Sequence, residues 1–183
     1  RQLIEFFALH HLSAELAVRT YKVYGDSAME LLYDDPYLLM DEGLDASFGA
    51  VDRFAIELGV AGDDPRRVEA GILFELSYNL SAGHSFLPEE KLIAATTQLL
   101  SVAPETVQKG LAQAQEAQRV VVDQLAGIKV DYLPQLMEAE KYCAARLTEF
   151  AANSFPQGQD LEPLLRQAAE ESGLHYSAQQ EQA

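Results

Sequence analysis

Along most of the chain, apolar residues recur at intervals of three and four, the spacing of an amphipathic helix. Leu3, Ile4, Phe7 and Ala8 fall on one face of a first predicted helix, which breaks at His10-His11-Leu12-Ser13. Ser13 is placed to cap a second helix with Leu16, Ala17, Thr20 and Tyr21 at core spacing, and Gly25 stands where a left-handed C-cap is expected. Ser27 and Glu30 have capping-box spacing and open a short helix that ends at Asp35-Pro36. After a break from Asp41 to Ser47, a further helix turns Phe48, Val51, Phe54, Ala55 and Leu58 inward before Gly59. Residues 1–62 therefore read as helix, loop, helix, twice.

Asp63-Asp64-Pro65 is an acidic cap followed by proline at the first helical position, so a new helix runs from there to about Ala82 and stops at Gly83. Pro88 opens a helix to about Leu100, and Pro104 one to about Gln118. Arg119–Asp123 and Ile128–Tyr132 then read as two short strands joined by a four-residue turn with Gly127. Three helices and a hairpin over residues 63–133 resemble a winged helix. Pro134 begins a long helix to about Phe150, residues 134–152 serving as a connecting helix. Asn153 to Asp160 is linker-like, and a short helix from Leu161 to Gly173 leads into the polar end of the segment 153–183. The expected fold class is mainly α: tandem helix-hairpin-helix-like units, then a winged-helix-like unit with one short β-hairpin.

Composition narrows the function classes. The chain has 183 residues, 48% of them hydrophobic, enough to bury a core, and its apolar runs are too short for a membrane span. With no secretory signal at its start, a cytoplasmic location and no membrane partner are expected. The single cysteine, Cys143, cannot form an internal disulfide and has no zinc spacing around it, so it reads as a small buried hydrophobe. Lys and Arg number 13 against 29 Asp and Glu, a net charge of −16, and residues 1–60 alone carry 4 basic and 11 acidic side chains. Nucleic-acid binders ordinarily show a basic face. Screening over about 8–10 Å lets a local cationic spot hold a phosphate, but long-range steering of DNA would be repulsive, so any DNA binding by this chain alone is expected to be weak.

No glycine-rich phosphate loop of the form G-x-x-x-x-G-K-[ST] occurs, and no nucleophile with a base, metal cluster or cofactor loop is visible, so no catalytic residue, metal or cofactor is assigned to this chain. His10 and His11 are adjacent and point apart at a helix end, which suits exposed or capping histidines better than a metal pair. Asp34-Asp35 and Glu89-Glu90 lie beside prolines at helix ends, where acids are ordinary. Arg19, Lys22 and Arg53 either meet a phosphate near the hairpins or belong to a solvated helix face or an ion pair with Glu15 or Asp26.

The last residues, Tyr176-Ser177-Ala178-Gln179-Gln180-Glu181-Gln182-Ala183, resemble the motif that precedes the phosphate loop in superfamily-one helicases, in which a glutamine reads adenine. Several upstream pieces follow in order. Leu12-Ser13 with Ala17-Val18-Arg19 and Tyr21-Lys22-Val23-Tyr24-Gly25, Asp35-Pro36-Tyr37-Leu38-Leu39, Phe48 with Asp52-Arg53, Ala70-Gly71-Ile72-Leu73, Gly83-His84-Ser85-Phe86-Leu87-Pro88, and Tyr132-Leu133-Pro134 with Glu140 are together similar to the N-terminal region of RecD-like DNA helicases, the RecD/TraA group. The chain starts at Arg1, and both ends read as cut, with the motor beyond Ala183.

The resemblance implies a parent that moves 5′ to 3′ on single-stranded DNA using ATP and Mg, with Gln180 at the adenine once the motor follows. It makes this region an accessory part that positions DNA or a partner protein and docks on its own motor. The implied DNA contacts are His11, Leu12 and Ser13 in the first hairpin, Ser47 in the second, and the nearby Arg19, Lys22 and Arg53, where backbone N–H groups and a helix N-terminus approach a phosphate. The chain departs from the family pattern at the turns: His11 replaces the first hairpin glycine, and a usual Gly-Ile-Gly-Phe reads Asp45-Ala46-Ser47-Phe48. These losses, with the acidic charge, motivate the alternative of an acidic protein-interaction scaffold that has lost DNA binding.

Overall fold

The computed structural model describes residues 2–41, 43–152, 162–173, 177 and 179. The chain is mainly helical and divides into two compact units, residues 1–141 and 142–183. The expected linker at 153–160 and Gln180, expected at the adenine, lie outside the described residues.

The first unit opens with α1 (Gln2–Leu9), α2 (Ala14–Tyr24), α3 (Ala28–Asp34) and α4 (Phe48–Glu57), with a 3-10 turn at Gly25–Ser27 and another at Pro36–Met40. The buried face of α1 is Leu3, Phe6 and Phe7, whereas Ile4 is 40% exposed and Ala8 lies outward. Phe6 centres the stripe because its ring meets Tyr33 and Phe54 at 5.2 and 5.6 Å, which rotates the helix away from the face expected from Ile4 and Ala8. Tyr21 is likewise exposed, its hydroxyl donating to Asp26 at 2.9 Å. Ser13 caps α2 as expected, accepting from Leu16 N at 3.1 Å. The capping box at Ser27 does not form: Ser27 already has helical dihedrals, as the last residue of the 3-10 turn, so its hydroxyl is not aimed at the helix end.

Asp64 caps α5 (Pro65–Leu80) by accepting from Arg66 N at 2.9 Å. Next come β1 (Phe86–Pro88), α6 (Glu89–Leu100), α7 (Pro104–Glu116), β2 (Val121–Leu125) and β3 (Ile128–Tyr132). The sheet is three-stranded and antiparallel in the order β1-β3-β2, with Phe86 opposite Tyr132 and Leu125 opposite Ile128. The hairpin of β2 and β3 was expected; β1 was not. Its three residues have no alternation of their own and become a strand only by pairing with a segment more than forty positions away. The turn between β2 and β3 has two residues rather than four, Ala126 and Gly127, both at positive φ (50° and 82°), the type I′ geometry that matches strand twist.

One apolar cluster runs from Leu3 to Leu133 through Phe7, Leu39, Phe54, Ile72 and Leu92, so the helices on either side of residue 62 share a core. Gly110 on α7 lets that helix close on α5, where an added Cβ would stand 2.5 Å from Val68 Cγ1. A smaller cluster of Val130, Tyr132 and Met137 seats the start of α8 (Pro134–Ala152) on the sheet.

The second unit contains the rest of α8 and α9 (Glu162–Ser172). Cys143 is exposed rather than buried, because every residue of α8 after Met137 faces outward; within that stretch Arg146 sits 5.1 Å over the Phe150 ring. Among the described residues no helix is long and apolar enough to cross a membrane.

Candidate nucleic-acid interface

The two expected hairpins share one backbone device. His11 has φ 58° and Asp45 has φ 51°, and each stands two residues ahead of a serine with extended dihedrals that begins a helix, Ser13 before α2 and Ser47 before α4. Glycine is the ordinary occupant of this left-handed region, and a side chain there costs about 1–2 kcal/mol, less for His and Asp than for most. Burial around the turns offsets that cost. Leu12 and Leu44 are 8% and 0% exposed, and the first turn is closed by Leu12 N donating to Phe7 O at 2.8 Å.

The expected contact residues divide into two groups. His11 and Arg53 are exposed and, with buried Leu12, border one cavity of about 120 Å³ also lined by His10, Ala50 and Glu57. Arg53 has no ion-pair partner among the described residues, which leaves its guanidinium available beside the first turn. His10 is neither solvent-exposed nor capping: its ring packs edge-on against Phe6 and Phe54, and Nδ1 lies 2.7 Å from Glu57 Oε2, bracing α1 to α4. Ser13 is occupied as a cap. Ser47, at the equivalent place, makes no side-chain cap bond.

Arg19 belongs elsewhere. Its Nη1 donates to Asp45 Oδ2 at 3.0 Å, so the partner is the second hairpin's turn residue rather than Glu15 or Asp26. Lys22, in the last turn of α2, is exposed and borders a groove of about 530 Å³ with Ile4, Val18, Tyr21 and Met29. His84 is exposed at the surface, its N–H closing the turn after α5 onto Asn79 O at 3.1 Å.

Sequence reasoning missed the network that holds the hairpins to the following helices. Asp52 on α4 accepts two hydrogen bonds of 2.9 Å from Arg67 Nε and Nη2 on α5, and a third of 2.7 Å from the Tyr37 hydroxyl. Arg67 Nη1 also donates to Gly62 O at 2.7 Å and to Leu100 O at 3.1 Å, and the residue is 8% exposed. Burial, then the hydrogen bond to Asp52, raises the Tyr37 phenol well above its usual range, so it stays a neutral donor. The available signal was an arginine on the inward face of α5, next to Val68 and one turn before Gly71.

Two left-handed turns, each delivering a helix N-terminus from a shared apolar core, define a helix-hairpin-helix protein. Residues 1–86 match the family model described as the HHH domain of the ATP-dependent RecD2 DNA helicase. Over 152 residues, 77% of this chain, it is 28% identical to the ATP-dependent RecD2 DNA helicase of Deinococcus radiodurans. Residues 1–86 are thus similar to a RecD2-type helix-hairpin-helix domain, and the chain as a whole is similar to RecD-like helicases. It spans about a fifth of the length of that relative, 21%.

Proposed function

We propose that this chain is a non-catalytic accessory region of a RecD-like ATP-dependent 5′ to 3′ helicase, and that it positions DNA at the motor through the first hairpin. The observation that carries the reading is the left-handed turn at His11, beside which Arg53 has no ion-pair partner among the described residues. Backbone N–H groups and the N-terminus of α2 would meet one phosphate there without reading bases, and Arg53 would neutralise it. Each helix-end contact is worth only about 0.3–1 kcal/mol, so the contact guides a strand rather than anchoring it. ATP and Mg belong to the motor of the whole protein, with Gln180 at the adenine, and the setting is the cytoplasm.

Under this reading residues 1–62 form the tandem hairpin region and residues 63–133 a winged-helix-like region, its order of helix, strand, two helices and hairpin being the supporting feature. Residues 134–152 connect to the segment 153–183 that leads to the motor.

The test is binding of fluorescent single-stranded and forked DNA at low and moderate salt. Salt-sensitive binding that weakens several-fold in Arg53→Gln and His11→Ala supports the reading. The second reading, an acidic scaffold for a protein partner, is favoured by the carboxylate of Asp45 at the second turn; absence of DNA binding at low salt would select it.

A further inference from the structure

The guanidinium of Arg19 leaves the first hairpin unit and reaches the turn of the second. There Nη1 donates to Asp45 Oδ2, while Nε is sealed from water without a hydrogen-bond partner in the structure. A guanidinium fork fits two oxygens of a carboxylate or a phosphate, and here it is only partly filled. The contrast with Arg67 is informative. That residue holds Asp52 with two parallel bonds, and the two side chains are 10% and 16% exposed. In the Arg19 pair the Asp45 side chain is 76% exposed and Arg19 is 31% exposed. A pair so open to water holds its partners by no more than about fivefold. Its position matters more than its strength, because Asp45 sits at the turn residue of a hairpin, directly ahead of a helix start at Ser47 that lacks a side-chain cap.

We propose that Asp45 is a built-in stand-in for a DNA phosphate: its carboxylate occupies Arg19 and keeps the phosphate position of the second hairpin closed until a strand displaces it. This rests on the DNA-positioning reading above and names the regulation of the interface. The first hairpin would then engage first. The second would open only against the high local phosphate concentration of a strand already held, so two contacts form in sequence.

The experiment compares the full 183-residue chain with Asp45→Asn, Asp45→Gly, Arg19→Gln/Asp45→Asn, and Glu105→Gln, an equal change of charge on α7, by fluorescence anisotropy on labelled forked DNA across a salt series. Asn tolerates the positive φ and Gly suits it without strain, so two variants remove the same carboxylate, and thermal melts establish that each is folded. The expected result is binding about two- to fivefold tighter for both Asp45 variants than for Glu105→Gln. Their salt dependence should be steeper by about 0.7–0.9 of a log unit per log unit of salt, one more phosphate. Adding Arg19→Gln should cancel the gain. If Asp45→Asn and Glu105→Gln bind alike while Arg53→Gln still weakens binding, the closure is overturned and the DNA reading stands. If no variant binds DNA even at low salt, both are overturned.

Discussion

Arg67 and Asp52 meet through two hydrogen bonds of 2.9 Å across the joint between the hairpin helices and the helices that follow them. The same guanidinium takes two backbone carbonyls, Gly62 O and Leu100 O, so one side chain ties together α4, α5, the loop between them and the end of α6. Removing one partner of a buried pair strands the other, at a cost of about 3–5 kcal/mol. Asp52→Ala and Arg67→Met are each expected to lower unfolding free energy by that order in urea titration. Tyr37→Phe, which removes one bond from an otherwise satisfied carboxylate, should cost about 1 kcal/mol.

Asp131 should make stability depend on pH in the opposite sense to an ordinary paired carboxylate. It is 0% exposed at the centre of the sheet, with Oδ1 accepting from Gln115 at 2.8 Å and Oδ2 without a hydrogen-bond partner in the structure. Burial raises its carboxyl from 3.8 to about 6; the Gln115 hydrogen bond lowers it, Glu89 adds to the rise and Lys129 opposes it. The folded chain therefore holds the proton more tightly than the unfolded chain. That stabilisation is full below the unfolded value near 4 and is lost as pH rises through about 6, with a span of about 3 kcal/mol. Asp131→Asn should flatten this portion of the profile and melt higher than the parent at pH 7.5; an unchanged profile between pH 4 and 7 would contradict it.

Two glycines on packed helices differ in what they would tolerate. At Gly110 a new methyl meets Val68 Cγ1 at 2.5 Å and Val68 Cβ at 3.3 Å, close to the branch point of a stiff side chain. At Gly71 it meets the end of Leu100 at 2.9 Å, which can rotate aside. Gly110→Ala should destabilise by about 1–3 kcal/mol, and Gly71→Ala by less, as measured by denaturant midpoints at constant slope.

The hairpin turn carries Ala126 at φ 50°, a conformation that a methyl side chain resists and asparagine accepts. Ala126→Asn would complete the favoured Asn-Gly pair. Relief of the left-handed strain is expected to raise stability by up to about 1 kcal/mol, observable as a higher melting temperature and slower amide exchange at Ile128, the residue paired with Leu125 across the turn.

What could be read in the sequence was what local chemistry decides. Ser13, Asp64-Pro65 and Pro104 mark helix starts because caps and prolines act within one turn of themselves. The RecD-like resemblance was legible too, since it rests on ordered short motifs, and the family comparison bears it out. Features that depend on partners distant in sequence were not legible. β1 exists through Tyr132, Arg19 is claimed by Asp45, and Arg67 finds Asp52 across fifteen positions and Leu100 across thirty-three. Ser27 failed as a cap for a nearer reason, the 3-10 turn that precedes it and sets its dihedrals.

His11 and Asp45 hold the left-handed bend that glycine ordinarily supplies. The instruction for each bend is thus distributed over its neighbours, a buried leucine close by and a serine with extended backbone two places after. The turn residue itself is released from its steric duty and can be spent on chemistry that glycine does not possess: a titratable ring at one corner, an anion at the other. A search for such motifs keyed to glycine would pass over both corners, whereas one keyed to the leucine and serine around an exposed polar residue would find them.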